Sequence, residues 1–277
     1  MLHYKYETTY EGLITEQIRI WGGEFMRVFS VNLNNFGGYE IKPVRKGCDE
    51  YVLYQEALLE YRNKISYKKN IDAFLDKLDG LNPNPDIIFL SEFDNNSYGD
   101  EYLTEKMLER GYEIRKPNNN SKAASITVLF AKTNILEKYT LCNKFPIYQN
   151  SIGIILEDIH IVGVKAPINY NDFKEYLSLM VDYFEECSKI LYIGDMNVYN
   201  DEKRLKVFNM LINKGAIDLW VHKGHHPNTP TFKNGNRLDY VLCSENISDV
   251  IDSIFIKPSF YKEKITDHAA IFVDLNI

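Results

Sequence analysis

Polar residues repeatedly interrupt or follow short apolar runs in this chain, and their types suit acid–base and phosphate chemistry. They are Asn32, Glu92, Asp195, Asn197, Asp239, Asp267 and His268. Short apolar runs are typical of buried strands, and polar groups at strand ends lie at the rim of a sheet, where the sites of α/β proteins gather. The sequence therefore predicts that these side chains meet in one site.

The many oxygen atoms in the side chains of these residues predict a binding site for a hard cation. Carboxylate and amide oxygens without paired histidines or cysteines suit Mg²⁺ or Mn²⁺. Such an ion screens phosphate oxygens, stabilises developing charge and can generate a hydroxide nucleophile. The expected chemistry is cleavage of a P–O bond.

Three residues are candidates for handling water, protons and phosphate. Asp195 and Asn197 are two residues apart, so in an extended backbone both would point to one face. The carboxylate can take a proton from water while the amide holds that water or a phosphate oxygen. His268 is a candidate proton donor or phosphate binder, and a carboxylate on its other nitrogen, such as Asp239, would fix its tautomer and raise its pKa.

Each of these residues also has a purely structural interpretation. Asp-x-Asn after a strand is common in turns and helix caps. Glu92 can be a solvated strand end, and Asp267-His268 a surface loop. Asn32 is more unusual, because an amide inside an apolar run needs buried partners. It is the ordered combination that favours a catalytic site.

The apolar periodicity indicates an alternation of strands and helices. Strands are predicted over 27–33, 86–91, 124–131, 152–156, 159–164, 190–195, 238–243, 250–256 and 270–275. Helices are predicted over 101–110, 171–187 and 202–214, with two more between 49 and 78. This mixture predicts an α/β layered sandwich with mixed sheets in a single domain, residues 26–277, preceded by an extension, residues 1–25.

Bulk properties narrow the class of protein. The chain has 277 residues, 45% of them hydrophobic, and a formal net charge of -7, which disfavours a protein that coats DNA through general basicity. No secretory signal and no apolar run near the roughly 20 residues of a membrane span are visible, so we expect a cytoplasmic protein without membrane association. Four widely spaced cysteines form no CxxC motif, which favours isolated thiols over a zinc site.

Five motifs, in this order along the chain, resemble those of the endonuclease/exonuclease/phosphatase superfamily, which includes pancreatic-type deoxyribonucleases and exonuclease III-like repair enzymes. They are Ser30-Val31-Asn32-Leu33-Asn34, Phe89-Leu90-Ser91-Glu92, Gly194-Asp195-Met196-Asn197, Arg237-Leu238-Asp239-Tyr240 and Thr266-Asp267-His268-Ala269. The resemblance covers residues 26–277. It implies a four-layer α/β sandwich, two mixed β-sheets flanked by helices.

The resemblance also implies a role for each matched residue. Asn32 and Glu92 would hold Mg²⁺ or Mn²⁺, with Asp267 close to the metal. Asp195 would activate the nucleophilic water, and Asn197 would position that water or the phosphate. His268 would bind the scissile phosphate, oriented by Asp239. Whether Asp195 or His268 is the formal base stays open at this level.

Two departures from the family pattern bear on the substrate. Lys165 stands where many members have His and repair enzymes have Tyr, so we expect it to contact the scissile phosphate unless it is a solvated strand-end lysine. Asn236 stands where abasic-site nucleases place a pocket Trp, which weakens an abasic-site reading.

The identity of the substrate has two interpretations at this stage. Basic residues interleaved with tyrosines, such as those around Arg62–Lys69, favour nucleic acid, although a solvated helix face is the simpler explanation of that cluster. We therefore expect a nuclease. The alternative is a phosphatase or phosphodiesterase for a small soluble or lipid-derived phosphate, whereas a non-catalytic module is disfavoured because every expected carboxylate is present. The oligomeric state is not predicted.

Overall fold

The strand-forming runs of the sequence assemble into two sheets. The computed structural model describes residues 25–38, 67–117, 125–142, 150–199 and 201–277. The strands in these ranges are β1 (Phe25–Asn32), β2 (Ile87–Asp94), β3 (Tyr112–Arg115), β4 (Ser125–Lys132), β5 (Thr140–Cys142), β6 (Ser151–Leu156), β7 (Ile159–Lys165), β8 (Ile190–Asp195), β9 (Ile217–Asp218), β10 (Asp239–Cys243), β11 (Ile251–Lys257) and β12 (Ala270–Asn276). The first sheet has the order β11-β12-β1-β2-β4-β3, and the second has the order β5-β6-β7-β8-β10-β9.

Seven α-helices accompany the sheets in the described residues, and the four longest cover their outer faces. In chain order they are α1 (Tyr67–Asp79), α2 (Tyr98–Leu108), α3 (Thr133–Lys138), α4 (Tyr170–Glu186), α5 (Glu202–Asn213), α6 (Leu219–His222) and α7 (Ser259–Lys262). The apolar faces of α1 and α2 pack on the first sheet, and those of α4 and α5 pack on the second. A third apolar cluster fills the space between the sheets. The predicted four-layer α/β sandwich is therefore confirmed.

Both sheets are mixed, and this mixture places the predicted site. β1 and β2 are parallel in the first sheet, as are β7 and β8 in the second, while the other neighbouring strands run antiparallel. The carboxyl ends of parallel neighbours meet at the same edge of a sheet. β10 starts at Asp239, directly opposite the last residue of β8, Asp195. The strands that carry the motifs therefore end or begin along one edge of the sandwich.

Close approach of the two sheets requires a glycine at position 163. A Cβ atom on Gly163 would lie 2.2 Å from Cδ1 of Phe89, which is buried between the sheets. We expect Gly163→Ala to lower the free energy of unfolding by about 1–3 kcal/mol, because an overpacked core must shift to admit a methyl group. Urea unfolding measures this change.

Gly80→Ala is the matched control for that measurement, because a Cβ there would meet its nearest atom, the carbonyl oxygen of Asp76, at an ordinary 3.5 Å. A Gly163→Ala protein that unfolds at the wild-type midpoint would show that the sheets are not packed this closely.

The observed elements differ from the predicted ones mainly in their short pieces. The second half of the helical pattern between 49 and 78 forms α1, while its first half lies outside the described residues. The short strands β3, β5 and β9 and the short helices α3, α6 and α7 were not predicted, because each is too short to show a clear apolar periodicity. Phe25 is already part of β1, so the predicted extension lies outside the described ranges apart from that residue.

No helix among the described residues is long and apolar enough to cross a membrane.

Candidate active site

Glu92 enters the site through an irregularity in β2. The register between β2 and β4 shifts between Leu90 and Phe93, and Glu92 has a φ of 49° within that shift. A bulge of this kind re-aims one side chain out of the regular alternation of a strand. The Glu92 carboxylate accepts a hydrogen bond from Asn35 Nδ2 at 3.3 Å.

Asp195 and Asn197 form a turn rather than an extended strand. The backbone N–H of Asn197 donates to Asp195 Oδ1 at 2.9 Å, and Asn197 has a φ of 48°. The turn that Asp-x-Asn commonly forms is therefore present, and the extended backbone that would place both side chains on one face is not, because the Asp195 side chain satisfies the backbone directly after the strand ends. Asn197 Nδ2 lies 3.3 Å from Asp195 Oδ2 and donates to the Ala166 carbonyl oxygen at 2.6 Å, which holds the amide next to the carboxylate.

His268 and Asp239 form a buried pair. His268 Nδ1 lies 2.9 Å from Asp239 Oδ2, and both residues are almost completely buried. Thr231 ties the pair together, because its hydroxyl accepts from the backbone N–H of Asp239 at 2.9 Å and its carbonyl oxygen accepts from Ala269 N at 2.6 Å. The predicted contact of Asp239 with a ring nitrogen of His268 is present.

Burial and neighbouring charged groups shift the pKa values of His268 and of the nearby Asp195. Burial on its own lowers the pKa of His268, but Asp239, with help from Asp195 and Asp267, outweighs it and raises that pKa to about 10. Burial raises the pKa of Asp195 to about 6, against the opposing effects of His268 and Lys165. An imidazolium is thus stabilised beside a desolvated carboxylate, which is a suitable arrangement for binding phosphate and moving a proton.

Asn32 connects the two sheets at the site. Its Nδ2 donates to Asp195 Oδ2 at 3.1 Å, and its Oδ1 accepts from the backbone N–H of Asn34 at 2.9 Å. The hydroxyl of Thr266 donates to the Asn32 carbonyl oxygen at 2.6 Å. The buried amide therefore has the partners that its position in an apolar run required, and it fixes one oxygen of Asp195.

Two lysines accompany the remaining carboxylates of the site. Lys165 Nζ lies 3.3 Å from Glu92 Oε1, and each of these side chains is 13% exposed. Lys165 is therefore not a solvated strand-end lysine. Lys233 Nζ lies 3.4 Å from Asp267 Oδ2. Burial on its own lowers the pKa of Lys165, but Glu92 and Asp195 outweigh it and raise that pKa.

Tyr199 lies near several carboxylates of the site. Its hydroxyl donates to Asn197 Oδ1 at 3.3 Å. Burial raises the pKa of this phenol, and the negative charges of Asp195, Glu92 and Asp267 raise it further, against the effect of Arg204. Carboxylates from three separate strand ends thus lie within electrostatic range of one hydroxyl group.

Arg204 supports the loops on which these residues lie. Its guanidinium donates to the carbonyl oxygens of Asn197, at 3.2 Å, and of Ile168. It also stacks over the Phe173 ring, 4.5 Å from the ring centroid. The loop after β7 and the loop after β8 are therefore joined through one buried cation.

Sequence reasoning missed Thr231, Tyr199, Lys233 and Arg204. None of them ends an apolar run or belongs to a matched motif, so no local signal marks them. The nearest clue for Lys233 is Phe232, which forms an isolated bridge with His268 and places its ring 4.8 Å from the imidazole. The predicted basic cluster is described only from Tyr67 onward; there Lys68 and Lys69 are exposed, as expected for a solvated helix face.

A group of possible metal ligands is formed by Asp195, Asp239 and His268, whose ligand atoms lie within 4.8 Å of one another. The 2.9 Å contact between His268 Nδ1 and Asp239 already uses one ring nitrogen. Hard cations prefer oxygen ligands, so this group suits proton transfer better than it suits Mg²⁺. Glu92 and Asp267 offer further carboxylate oxygens near this group.

Comparisons with known proteins give a fold and no sequence match. No family model and no curated protein matches the amino-acid sequence. Among solved structures, the chain is similar to the 3′ phosphatase NExo from Neisseria bound to a product DNA hairpin, with a TM-score of 0.62 and 12% identity over 91% of this chain and 100% of that chain. An AP endonuclease from Archaeoglobus fulgidus has a TM-score of 0.60 and 14% identity over 91% and 100% of the two chains.

A third similar structure is TDP2 from D. rerio complexed with a single-strand DNA product, with a TM-score of 0.61 and 12% identity over 91% of this chain and 99% of that chain. These structures share the endonuclease/exonuclease/phosphatase fold. At these identities the similarity defines the fold, and this chain has that fold.

Proposed function

We propose that this protein is a Mg²⁺- or Mn²⁺-dependent phosphoesterase that hydrolyses phosphodiester bonds of nucleic acids. The observation that carries the proposal is the buried Asp239–His268 pair next to Asp195 and Asn197. Glu92 is held 3.3 Å from Lys165, the strand neighbour of Asp195, and Asp267 directly precedes His268. These groups come from separate strands of two sheets. Burying so many polar and charged groups is costly, and a site of reaction is the usual reason for such a cluster.

The donor set at Glu92 fits a hard cation. The bulge in β2 points the carboxylate into the site, and the amide of Asn35 lies beside it. Among the described residues, nothing donates a hydrogen bond to the buried Asn35 Oδ1. We propose that Glu92, Asp267 and Asn32 hold Mg²⁺ or Mn²⁺. When bound, the ion would neutralise phosphate oxygens and stabilise the charge that develops on them.

The other steps of the reaction are assigned to side chains of the protein. Asp195 accepts a proton from the attacking water, and its orientation is fixed by Asn32 and by the N–H of Asn197. The amide of Asn197 holds the water or a phosphate oxygen. The His268 imidazolium donates to the scissile phosphate, and Asp239 maintains its orientation and charge. General acid–base catalysis and charge stabilisation of this kind contribute about 10²–10⁴-fold each.

Nucleic acid is the proposed substrate because the similar structures include proteins with DNA products bound. The alternative, hydrolysis of a small soluble or lipid-derived phosphate, is favoured by the two lysines at the site, which suit a highly charged phosphate. A panel of plasmid, single-stranded DNA, RNA, sugar phosphates and phospholipid headgroups, each with Mg²⁺ or Mn²⁺, distinguishes the two. Cleavage confined to the small phosphates would replace the first proposal by the second.

Turnover is expected to require a divalent hard cation, because the ligand set is made of oxygen atoms. Exhaustive dialysis against EDTA should abolish hydrolysis, and added Mg²⁺ or Mn²⁺ should restore it. An Asp195→Asn protein purified in parallel controls for contaminating nucleases. Undiminished turnover after dialysis would contradict the proposed metal site.

A further inference from the structure

Each of the two carboxylates proposed to hold the metal is paired with a lysine. Glu92 Oε1 lies 3.3 Å from Lys165 Nζ, and Asp267 Oδ2 lies 3.4 Å from Lys233 Nζ. All four side chains are largely shielded from water, with exposed fractions of 13% to 16%. These distances are those of ion pairs, and low exposure makes the pairs stronger than exposed ones.

The backbone holds the Cα atom of each lysine in place, so only the flexible side chain has to move when the ammonium group leaves its carboxylate. Lys165 is the last residue of β7 and pairs with Asp195 across the second sheet, while Glu92 belongs to the first sheet. The Lys165–Glu92 pair therefore bridges the two sheets. Lys233 N–H donates to the Asp267 carbonyl oxygen at 3.0 Å, which keeps the two residues side by side whatever their side chains do.

We propose that Lys165 and Lys233 are tethered counter-ions of the metal site, displaced from Glu92 and Asp267 by a divalent cation and thereby made available to the phosphate of the substrate. This inference rests on the proposed function. Without a metal, two carboxylates are balanced by two ammonium groups. A divalent cation takes over that balance and releases both ammonium groups from these carboxylates, so the site gains positive charge that favours binding of a negatively charged phosphate.

Two consequences follow from this exchange. Metal and phosphate should bind cooperatively, because each relieves the repulsion that the other would meet, and such coupling is reciprocal by thermodynamic linkage. A terminal phosphate, with its second negative charge, should also use the released lysines better than an internal diester does. The exchange therefore indicates that the proposed site prefers a nucleic acid with a phosphate at its end, a phosphomonoester, over the internal diester.

Binding of Mn²⁺, followed by electron paramagnetic resonance of the free ion, tests the exchange without any turnover. Lys165→Gln should tighten Mn²⁺ binding about fivefold in the absence of phosphate, because a competing cation has been removed, and Lys233→Gln should act in the same direction. In the wild type, inorganic phosphate should tighten Mn²⁺ binding by about tenfold, within the usual range of coupling between sites. In the double variant that enhancement should fall to about twofold or less.

Lys189→Gln is the matched control. Lys189 also forms a lysine–carboxylate pair, with Asp158 at 2.7 Å, but it lies just before β8, at the opposite end of that strand from Asp195. Its removal should leave both Mn²⁺ binding and the phosphate effect unchanged. Circular dichroism checks that every variant is folded, and Lys233→Gln provides an independent loop variant if Lys165→Gln is unfolded.

The outcomes separate this inference from the proposed function. Mn²⁺ binding that is unchanged or weaker in both lysine variants, with the phosphate effect intact, would overturn the exchange while leaving the metal site in place. Wild-type protein that binds no Mn²⁺, or binding that survives Glu92→Gln undiminished, would instead contradict the metal site itself, and the exchange with it. Tighter binding together with lost phosphate coupling supports the exchange.

Discussion

Replacing Asp195 by Asn is expected to lower the rate of phosphoester hydrolysis by about two to four orders of magnitude, because the amide cannot accept the proton of the attacking water. Asp195 is 1% exposed, and both of its oxygens accept hydrogen bonds, from Asn32 Nδ2 and from the N–H of Asn197. The substitution keeps the size of the side chain and changes its charge. Steady-state kinetics with saturating Mg²⁺ measures the effect.

The stability of the same variant shows whether the loss is chemical. Burial penalises the charged form of Asp195, as the raised pKa of this carboxyl indicates. The neutral isostere avoids that penalty, but its amide nitrogen replaces one of two accepting oxygens and faces a donor, so we expect a folded protein with a modestly lower melting temperature. A folded Asp195→Asn protein with a near-wild-type rate would exclude Asp195 as the group that activates water.

Replacing His268 by Ala is expected to reduce turnover by about 10²–10⁴-fold, because the imidazolium that would bind the phosphate is lost. His268 is 5% exposed and pairs with Asp239, which is 3% exposed. Truncation leaves the Asp239 carboxylate buried without its cation, so stability should fall as well, by about 3–5 kcal/mol for a fully buried pair. Kinetics and thermal unfolding are measured on the same preparation.

A double-mutant cycle with Asp239→Asn separates the contributions of His268 and Asp239 to activity and to stability. If Asp239 acts on the phosphate only through His268, adding Asp239→Asn to His268→Ala should cost little further activity and should recover part of the lost stability. His226→Ala provides a matched control, because His226 is exposed. Additive losses of activity would show that Asp239 has a role of its own, and a folded His268→Ala protein with an undiminished rate would contradict the assignment of His268.

Much of the fold could be predicted because its signals are local. The main strands β1, β2, β7, β8 and β12 coincide with apolar runs, and α4 and α5 follow clear helical periods. The two-residue strand β9 and the three-residue strand β5 have no such signal, since they are defined by pairing with distant neighbours. Pairing depends on tertiary contacts that a short window of sequence does not contain.

For the site, the sequence by itself determined which candidate residues lie at the sheet edge. Asn32, Asp195 and Asp239 stand at the ends of apolar runs, and once those runs become strands, their side chains must lie at a sheet edge. The contact of His268 with Asp239 was expected from the family resemblance, with Asp239 as one carboxylate that could hold the second ring nitrogen. The placement at a sheet edge requires only residue types and the direction of each strand.

The tertiary structure alone decided how these groups are aimed and what accompanies them. Glu92 in the bulge and Asn197 in the turn both have positive φ values, which cannot be predicted from their residue types. Lys233 reaches Asp267 across 34 positions of sequence, and Lys165 reaches Glu92 across 73 and from the other sheet. Charge pairing depends on distance in space and on shielding from water, and both quantities exist only after the two sheets have packed together.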